Sequence, residues 1–326
     1  MGLLIDGVWR EDSNDARISR DGHFVRPQTR FRNFVTPDGR AGPSGEGGFS
    51  AEAGRYHLYV SLACPWAHRT VIMRRLKELD SVISMSTVAP YMGPQGWTFE
   101  AEDSTGDPVN GARHLSEIYL KADARYTGRV SVPVLWDKSQ QTIVNNESSE
   151  IIRMLNAAFE EFTSNHTDYY PFALRPEIDR INTMVFENIN NGVYRSGFAR
   201  SQSAYEEAFR SVFTALDDIE HRLGEQRYLI GDKLTEADWR LFTTLVRFDA
   251  VYYGHFKCNL RRIIDYPNLS NYVRDLYQVP GVAETVSIEQ IKRHYYGSHK
   301  HINPTGIVPV GPVLDFTGAH DRGRFT

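Results

Sequence analysis

Hydrophobic and polar positions alternate along the chain in a pattern that changes several times. Residues 56–60 alternate at the spacing of a β-strand, and residues 69–79 then repeat apolar side chains at helical spacing. A second apolar, alternating segment at 82–88 predicts another strand. Residues 90–128 interrupt this rhythm with several Gly and Pro residues, although 114–121 fits a short helix near the end of the interruption.

The strand pattern returns at 130–136 and, after a turn, at 143–144. A helix is expected to follow, with Asn146 or Ser148 as its cap and Ile151 on its apolar side. The order strand, helix, strand, insertion, strand, strand, helix predicts an α/β domain built on a small mixed sheet.

The second half of the chain has helical spacing. Apolar side chains recur at helical intervals between residues 178 and 219. Thr235, followed three residues later by Asp238, is typical of a capping box, so a helix should begin there. Two or three shorter helices are expected within 267–296. This half is therefore predicted to be all-helical.

These changes predict five segments. The first 54 residues have little periodicity and are rich in turn-forming residues, which indicates an irregular arm that packs on the first domain. The predicted segments are the N-terminal arm at 1–54, the α/β domain at 55–160 with its insertion at 90–128, a linker at 161–173, an all-helical domain at 174–300 and a C-terminal tail at 301–326.

Cys64 lies between the first predicted strand and the first predicted helix. Pro65 suits the first turn of a helix, so Cys64 should lie at a helix N-terminus, where backbone N–H groups and the helix dipole favour an anion. A thiolate is such an anion, and this position should lower the pKa of the thiol. The alternative is a small, buried, apolar cysteine. The strand, Cys-Pro and helix arrangement favours the reactive interpretation.

Pro133 lies inside the predicted strand 130–136, where a proline cannot donate a hydrogen bond to its neighbour. A Val-Pro pair that enters a strand facing a reactive cysteine predicts a cis peptide bond between Val132 and Pro133.

Composition adds only broad limits. The 326 residues are long enough for two domains, and 41% hydrophobic with 24% charged residues is ordinary for a soluble globular protein. A net charge of −4 gives no reason to expect nucleic acid or an anionic membrane as a partner. No apolar run reaches membrane-spanning length, and the N-terminus does not resemble a secretion signal, so a cytoplasmic location is expected.

The two cysteines, Cys64 and Cys258, lie far apart in sequence, which argues against a disulfide framework or a zinc site. Lys257 and nearby arginines could raise the thiolate fraction of Cys258, but we treat this cysteine as incidental. The cluster His294, His299 and His301 lacks accompanying Cys or acidic ligands, so no metal site is expected.

Several motifs resemble those of the glutathione transferases, in which a thioredoxin-like domain precedes an all-helical one. They are Cys64-Pro65-Trp66-Ala67, Val132-Pro133, Glu147-Ser148 and the capped helix at Thr235. Others resemble, more specifically, the Xi-class enzymes, the glutathionyl-hydroquinone reductases. These are Leu4-Ile5-Asp6-Gly7-Val8-Trp9, Leu58 to Arg69, Gly96-Trp97-Thr98-Phe99, Arg129-Val130, Val132 to Asp137, Asn146-Glu147-Ser148, Asn191-Gly192-Val193-Tyr194 and Ser298-His299-Lys300 with Ile302-Asn303-Pro304.

The resemblance implies an oxidoreductase that uses glutathione as co-substrate, needs no metal and forms a homodimer. Cys64 would attack the sulfur of a glutathionyl-hydroquinone, and a second glutathione would release the resulting mixed disulfide as glutathione disulfide. No second cysteine lies three residues from Cys64, so the thiol would depend on an external one. A cysteine here, rather than serine or tyrosine, favours removal of glutathione over its conjugation.

The resemblance also implies the roles of individual residues. The glutathione-binding positions would be Trp97, Arg129, Val130, Ser131, Val132, Glu147 and Ser148. Tyr194 would exchange a proton with the hydroquinone. Tyr252 and Tyr295 would hydrogen-bond near the sulfur and stabilise its thiolate. Each of the last two is followed by another tyrosine, Tyr253 or Tyr296, so each role could belong to the next residue instead.

Without the resemblance these residues have simpler interpretations. Trp97 would cover the core, Arg129 would be a solvated loop residue, and Glu147 with Ser148 would only begin a helix. His68 lies one helical turn after Cys64, but we interpret it as structural. Two other functions remain open: an omega-type or glutaredoxin-like thiol transferase, which needs only an open cleft, and a non-catalytic glutathione-binding scaffold.

Overall fold

The structure is a computed structural model that describes residues 2–11, 17–43 and 45–325. Its strands β1 to β7 span Gly2–Ile5, Val8–Glu11, Tyr56–Val60, Ser84–Thr87, Gly128–Arg129, Val134–Asp137 and Thr142–Asn145. Its helices α1 to α9 span Pro65–Leu76, Leu115–Ala122, Ser148–Ala157, Arg175–Val185, Gly192–Phe198, Gln202–Glu225, Glu236–Arg247, Pro267–Tyr277 and Ile288–Ser298. Within the described ranges, no helix is both long enough and apolar enough to cross a membrane.

The described residues form two compact units. The first contains 2–11, 27–43, 45–167 and 297–306, and the second contains 17–26, 168–296 and 307–325. Residues 17–26 therefore join the helical unit, whereas the whole arm was expected to pack on the first domain. The reason is local packing: the Phe24 ring lies 5.3 Å from that of Phe198, and the Arg200 amide donates to the Gly22 carbonyl.

A four-stranded sheet organises the first unit, in the order β4-β3-β6-β7. Strand β3 pairs parallel with β4 and antiparallel with β6, and β6 pairs antiparallel with β7. All five residues of β3 are buried, because helix α1 and neighbouring strands leave this central strand no solvent-facing side. The mixed sheet predicted from the strand and helix order is confirmed.

A second, three-stranded sheet has the order β2-β1-β5 and includes the first residues of the chain. Strands β1 and β2 form a hairpin around Asp6 and Gly7, which both have positive φ values of 47° and 78°. An Asp-Gly pair with this backbone is a preferred two-residue hairpin turn. The first residues of the arm are thus regular, unlike the irregular extension expected.

The chain around Pro133 matches the predicted geometry in part. The Val132–Pro133 peptide bond is cis, as predicted. Strand β6 begins only at Val134, later than the predicted 130, because Pro133 interrupts the ladder.

The cap of helix α3 differs from the prediction. Glu147 is the N-cap, and its Oε1 accepts a hydrogen bond from the Ser149 amide at 3.1 Å. Asn146 instead accepts a bond from the Phe31 amide, and Ser148 is the first helical residue. The predicted caps, Asn146 or Ser148, are therefore wrong, because the longer Glu147 side chain folds back onto the helix.

The second unit is helical, and its predicted capping box is confirmed. Thr235 caps α7, and Asp238 accepts hydrogen bonds from the Thr235 amide at 2.8 Å, the Leu229 amide at 2.9 Å and the Tyr272 hydroxyl at 2.8 Å. Asp238 is fully buried. A buried carboxylate with several donors fixes the start of α7 against two other parts of the chain.

Two π-helical turns occur in this unit, at Phe186–Asn190 after α4 and at Phe248–Tyr252 after α7. Such turns add a residue to the helical repeat and are frequent near functional sites. The second ends at Tyr252, one of the predicted site residues.

We expect Asp238→Asn to destabilise the protein by about 2 to 3 kcal/mol. The asparagine NH₂ group would replace one carboxylate oxygen and face N–H and O–H groups that now donate to that oxygen. Chemical denaturation measures the change. Asp232→Asn is the matched control, because Asp232 is exposed on the preceding loop and should change stability little. Equal stabilities of the two variants would contradict this account of α7.

Candidate active site

Cys64 is the N-cap of helix α1, with Pro65 at the first helical position, as predicted. Its carbonyl accepts the first helical hydrogen bond, from the His68 amide at 3.0 Å. The side chain is partly exposed, unlike the buried, apolar alternative. Its Sγ lies 3.6 Å from the Val132 carbonyl oxygen, next to the cis peptide bond. The thiol is thus placed where a helix N-terminus favours negative charge.

The segment before the cis bond is held in place from the protein core. The Tyr119 hydroxyl donates to the Ser131 carbonyl at 2.8 Å and accepts from the Ser131 amide at 3.2 Å. Asn146 also donates to this hydroxyl, at 3.0 Å. Burial raises the pKa of Tyr119, so its hydroxyl stays protonated and able to donate. The backbone at Val130 to Val132 is fixed by these bonds rather than by a regular strand.

Glu147 and Ser148 begin helix α3, which packs on helix α1, the helix that Cys64 caps. The link is Arg69 of α1, which is buried and whose Nη1 lies 3.5 Å from Ser148 Oγ. The Arg69 guanidinium also lies over the Trp66 ring, 4.6 Å from its centre. Sequence reasoning did not single out Arg69, and its position in the Cys-Pro-Trp helix was the available signal.

Trp97 and Arg129 are anchored through other parts of the first unit. The Trp97 carbonyl accepts from the Leu115 amide at the start of α2, and the Trp97 side chain is buried. Arg129 lies in β5, and its Nη1 donates to the Gly2 carbonyl at 3.4 Å. Burial lowers the pKa of this guanidinium, which nevertheless stays charged at neutral pH.

In the second unit three tyrosine hydroxyls form a hydrogen-bonded cluster. The Tyr194 and Tyr295 hydroxyl oxygens are 2.6 Å apart, and those of Tyr252 and Tyr295 are 2.9 Å apart. Tyr194 is half-buried, whereas Tyr252 and Tyr295 are buried. We call these three residues the tyrosine cluster.

The cluster settles which of the neighbouring tyrosines belong together. Tyr296 donates to the Ala250 carbonyl at 3.4 Å, and Tyr253 is only half-buried beside Tyr252. The two hydroxyl contacts therefore join Tyr252 and Tyr295 to Tyr194, and the choice of the tyrosines that face the sulfur stays a prediction.

Burial, with no nearby cation strong enough to offset it, raises the pKa of Tyr252 and of Tyr295 well above 10. Both phenols are neutral at physiological pH. Each hydroxyl has one proton to donate, and in either contact either oxygen can be the donor. A chain of bonds that runs from Tyr252 through Tyr295 to Tyr194 is one arrangement that these contacts permit, and in it Tyr194 keeps its own proton for a ligand. The cluster can therefore supply a proton at Tyr194.

Two arginines near Tyr194 were missed by the sequence analysis. The Arg26 guanidinium lies 4.9 Å from the centre of the Tyr194 ring, and its Nε donates to the Asn191 amide oxygen at 2.8 Å. Arg17 lies over the Phe24 ring, and burial, assisted by Arg26, lowers its pKa to about 10. Both arginines belong to the arm that was assigned to the first domain.

The remaining candidates have structural surroundings. His68 is fully buried in α1. Cys258 is also buried, and burial raises the pKa of its thiol to about 12, outweighing the nearby Lys257. Lys257 does favour the thiolate of Cys258, but burial has the larger and opposite effect on the pKa. Among the residues that the structure describes, no group of three or more His, Cys, Asp or Glu side chains could hold a metal ion.

Comparison with known proteins gives consistent matches over the chain. The family model described as glutathione S-transferase, N-terminal domain, matches residues 63–158, and that for the C-terminal domain matches 202–275. The chain is 55% identical over 324 residues to the glutathionyl-hydroquinone reductase YqjG of Escherichia coli, covering 99% of this chain and 98% of that protein. It is 56% identical over 319 residues to the glutathionyl-hydroquinone reductase PcpF of Sphingobium chlorophenolicum, covering 98% of each.

Solved structures agree. The glutathione-bound structure of YqjG superposes with a TM-score of 0.91 at 53% identity and covers 99% of both chains. The Xi-class glutathione transferase from Natrialba magadii gives a TM-score of 0.90 at 48% identity, covering 99% of this chain and 97% of that one. The predicted fold, a thioredoxin-like domain followed by an all-helical domain, is confirmed.

We expect iodoacetamide to modify native protein at Cys64 and to leave Cys258 unmodified until the protein unfolds, because Cys258 is buried and protonated. The rate of Cys64 modification should reach half its maximum at a pH well below the ordinary thiol pKa of about 8.5. Peptide mapping by mass spectrometry across a pH series measures both results.

Cys64→Ser is the control and should show no modification under native conditions. Modification of Cys64 with an ordinary thiol pH dependence would contradict activation by the helix N-terminus.

Proposed function

The chain belongs to the Xi-class glutathione transferases, the family of the glutathionyl-hydroquinone reductases, and we propose that it reduces glutathionyl-hydroquinones with glutathione. The products are the free hydroquinone and glutathione disulfide. The observation that carries the proposal is Cys64 at the N-terminus of α1, beside the Val132 carbonyl and the cis peptide bond. The glutathione-bound relative supports glutathione as the co-substrate.

In the first step the Cys64 thiolate attacks the glutathionyl sulfur. A sulfur–sulfur bond forms between Cys64 and glutathione, and the bond between that sulfur and the aromatic carbon breaks. The electron pair of the broken bond passes to the ring, which takes up one proton. The helix N-terminus stabilises the attacking thiolate before this step.

In the second step the thiolate of another glutathione attacks the Cys64 mixed disulfide. Glutathione disulfide leaves, and Cys64 returns to its thiolate. The only other cysteine, Cys258, is buried and protonated, which suits an external thiol as the resolving group. The reaction consumes one glutathione and one glutathionyl-hydroquinone for each hydroquinone released.

Glutathione binding is assigned to seven residues of the first unit: Trp97, Arg129, Val130, Ser131, Val132, Glu147 and Ser148. Val132 can pair with the glutathione backbone as an added strand. Ser148 at the N-terminus of α3 can receive the γ-glutamyl carboxylate, and Glu147 can accept from its ammonium group. The fixed backbone at Ser131 and the link from Arg69 to Ser148 support this assignment, because both preorganise the site.

Tyr194 is proposed to exchange the proton with the hydroquinone, and Tyr252 and Tyr295 are proposed to stabilise charge near the sulfur. The neutral hydroxyl chain supports this role, because Tyr295 can return a proton to Tyr194 after each transfer. The tyrosine cluster also favours this function over an omega-type thiol transferase, which needs no aromatic site. An intact Cys-Pro turn argues against a non-catalytic scaffold.

We further propose that the protein is cytoplasmic and acts as a homodimer. The two cysteines, which form no disulfide, support the reducing compartment, and the family resemblance supports the homodimer.

Cys64→Ala and Cys64→Ser should each lower turnover of a glutathionyl-hydroquinone by on the order of a thousandfold or more, because the covalent intermediate cannot form. Product formation followed by chromatography measures the rate. Cys258→Ser is the matched control and should retain activity. Wild-type rates in the Cys64 variants would refute the mechanism.

Tyr194→Phe should lower kcat by about a hundredfold, the usual effect of losing a general acid, with a small change in KM. Tyr253→Phe removes a phenol beside Tyr252 that lies outside the tyrosine cluster, and it should leave kcat unchanged. If both variants lose the same activity, proton transfer at Tyr194 is the wrong assignment.

A further inference from the structure

We infer that the N-terminal hairpin, residues 2–11, positions the glutathione site by holding the loop that carries Trp97 and the strand that carries Arg129. Trp9 is the central positioning residue. This inference rests on the proposed function, since it takes Trp97 and Arg129 as glutathione-binding residues.

The Trp9 indole packs against two glycines, Gly2 and Gly96, so closely that neither position has room for a side chain. A Cβ atom at Gly2 would lie 2.3 Å from Trp9 Cζ2, and one at Gly96 would lie 2.7 Å from Trp9 Cη2. Only glycine permits this approach of backbone to ring. Gly96 directly precedes Trp97, so the indole packs on the backbone that presents Trp97.

A hydrogen bond fixes the same loop. Trp9 Nε1 donates to the Pro94 carbonyl at 3.0 Å, and the loop closes on itself where the Gly96 amide donates to the Gly93 carbonyl. Beyond Gly96, the Trp97 carbonyl accepts a hydrogen bond from the Leu115 amide of α2. Trp97 is therefore held between the hairpin and the start of α2.

The other edge of the hairpin holds Arg129. In the register of β1 and β5, Leu3 is opposite Arg129 and Leu4 is opposite Gly128. The Arg129 guanidinium donates to the Gly2 carbonyl. The turn adds two bonds, from the Gly7 amide to the Tyr126 carbonyl and from the Asp6 amide to Thr127 Oγ1. One hairpin thus supports two predicted ligand contacts that are 32 residues apart in sequence.

The hairpin belongs to the three-stranded sheet, whereas Cys64 follows β3 of the separate four-stranded sheet. Loosening the hairpin should therefore displace Trp97 and Arg129, whereas the Val132 carbonyl beside the thiol stays held through the bonds of Tyr119 to Ser131. This separation predicts a weaker affinity for glutathione with unchanged Cys64 reactivity. A purely structural role of Trp9 would affect both.

The experiment compares Trp9→Ala and Trp9→Phe with Val8→Ala in the full chain. Val8 is the matched control because it is exposed on the same strand. Calorimetric titration gives the Kd for glutathione, and iodoacetamide modification gives the Cys64 rate. Trp9→Ala should raise the Kd about tenfold, in line with the loss of supporting contacts around other sites. Trp9→Phe keeps an aromatic ring without the donor and should have a smaller effect.

Turnover adds a second readout. Trp9→Ala should raise the KM for glutathione while kcat at saturating glutathione stays close to that of the wild type. A Kd equal to that of Val8→Ala, or a parallel fall in Cys64 modification and kcat, would overturn the inference.

Trp97→Ala and Arg129→Ala separate this inference from the proposed function. If both weaken glutathione binding and Trp9→Ala does not, the hairpin role is wrong and the site assignment stands. If neither weakens binding, the inference fails together with the assignment of those two residues. Full activity of Cys64→Ser would instead refute the proposed function itself.

Discussion

The junction between strand β3 and helix α1 is the constraint that places Cys64, the proposed nucleophile of this protein. Strand β3 is wholly buried, so its position is set by the core, and Pro65 begins helix α1 after the short turn at residues 61–64. Cys64 has no freedom to lie elsewhere than at the helix N-terminus. Its partial exposure then follows from the fold, and it leaves the thiol accessible for the proposed attack on a glutathionyl sulfur.

The two units prepare their side chains by opposite electrostatic means. In the first, Cys64 and Ser148 each lie at a helix N-terminus, which favours an anion, and Arg69 Nη1 lies 3.5 Å from Ser148 Oγ. In the second, burial keeps Tyr252 and Tyr295 protonated, since desolvation raises their pKa more than Arg247 lowers it. One unit thus favours a nucleophilic anion and the other keeps neutral proton donors. The proposed thiol-dependent cleavage with ring protonation calls for both kinds of group.

Local signals were sufficient to predict much of this from sequence. The Cys64-Pro65 helix start, the cis bond at Val132 and the Thr235 capping box each depend on residues adjacent in the chain. The contacts of the tyrosine cluster were beyond such reasoning, because Tyr194 and Tyr295 are 101 residues apart. They were selected only through the family resemblance. The Glu147 cap was missed because a side-chain conformation decided between three neighbouring polar residues.

The N-terminal arm shows a second reason why prediction failed. Its Asp6-Gly7 pair carried a recognisable hairpin signal, but the partner strand β5 lies more than 120 residues away. Its later residues, Arg17, Phe24 and Arg26, have no periodicity because they pack as single side chains against Phe198 and Tyr194. A segment without periodicity in its sequence can therefore still make specific packing contacts. The arm contributes to each unit by contacts distant in sequence, and those contacts lie beside residues assigned to the chemistry.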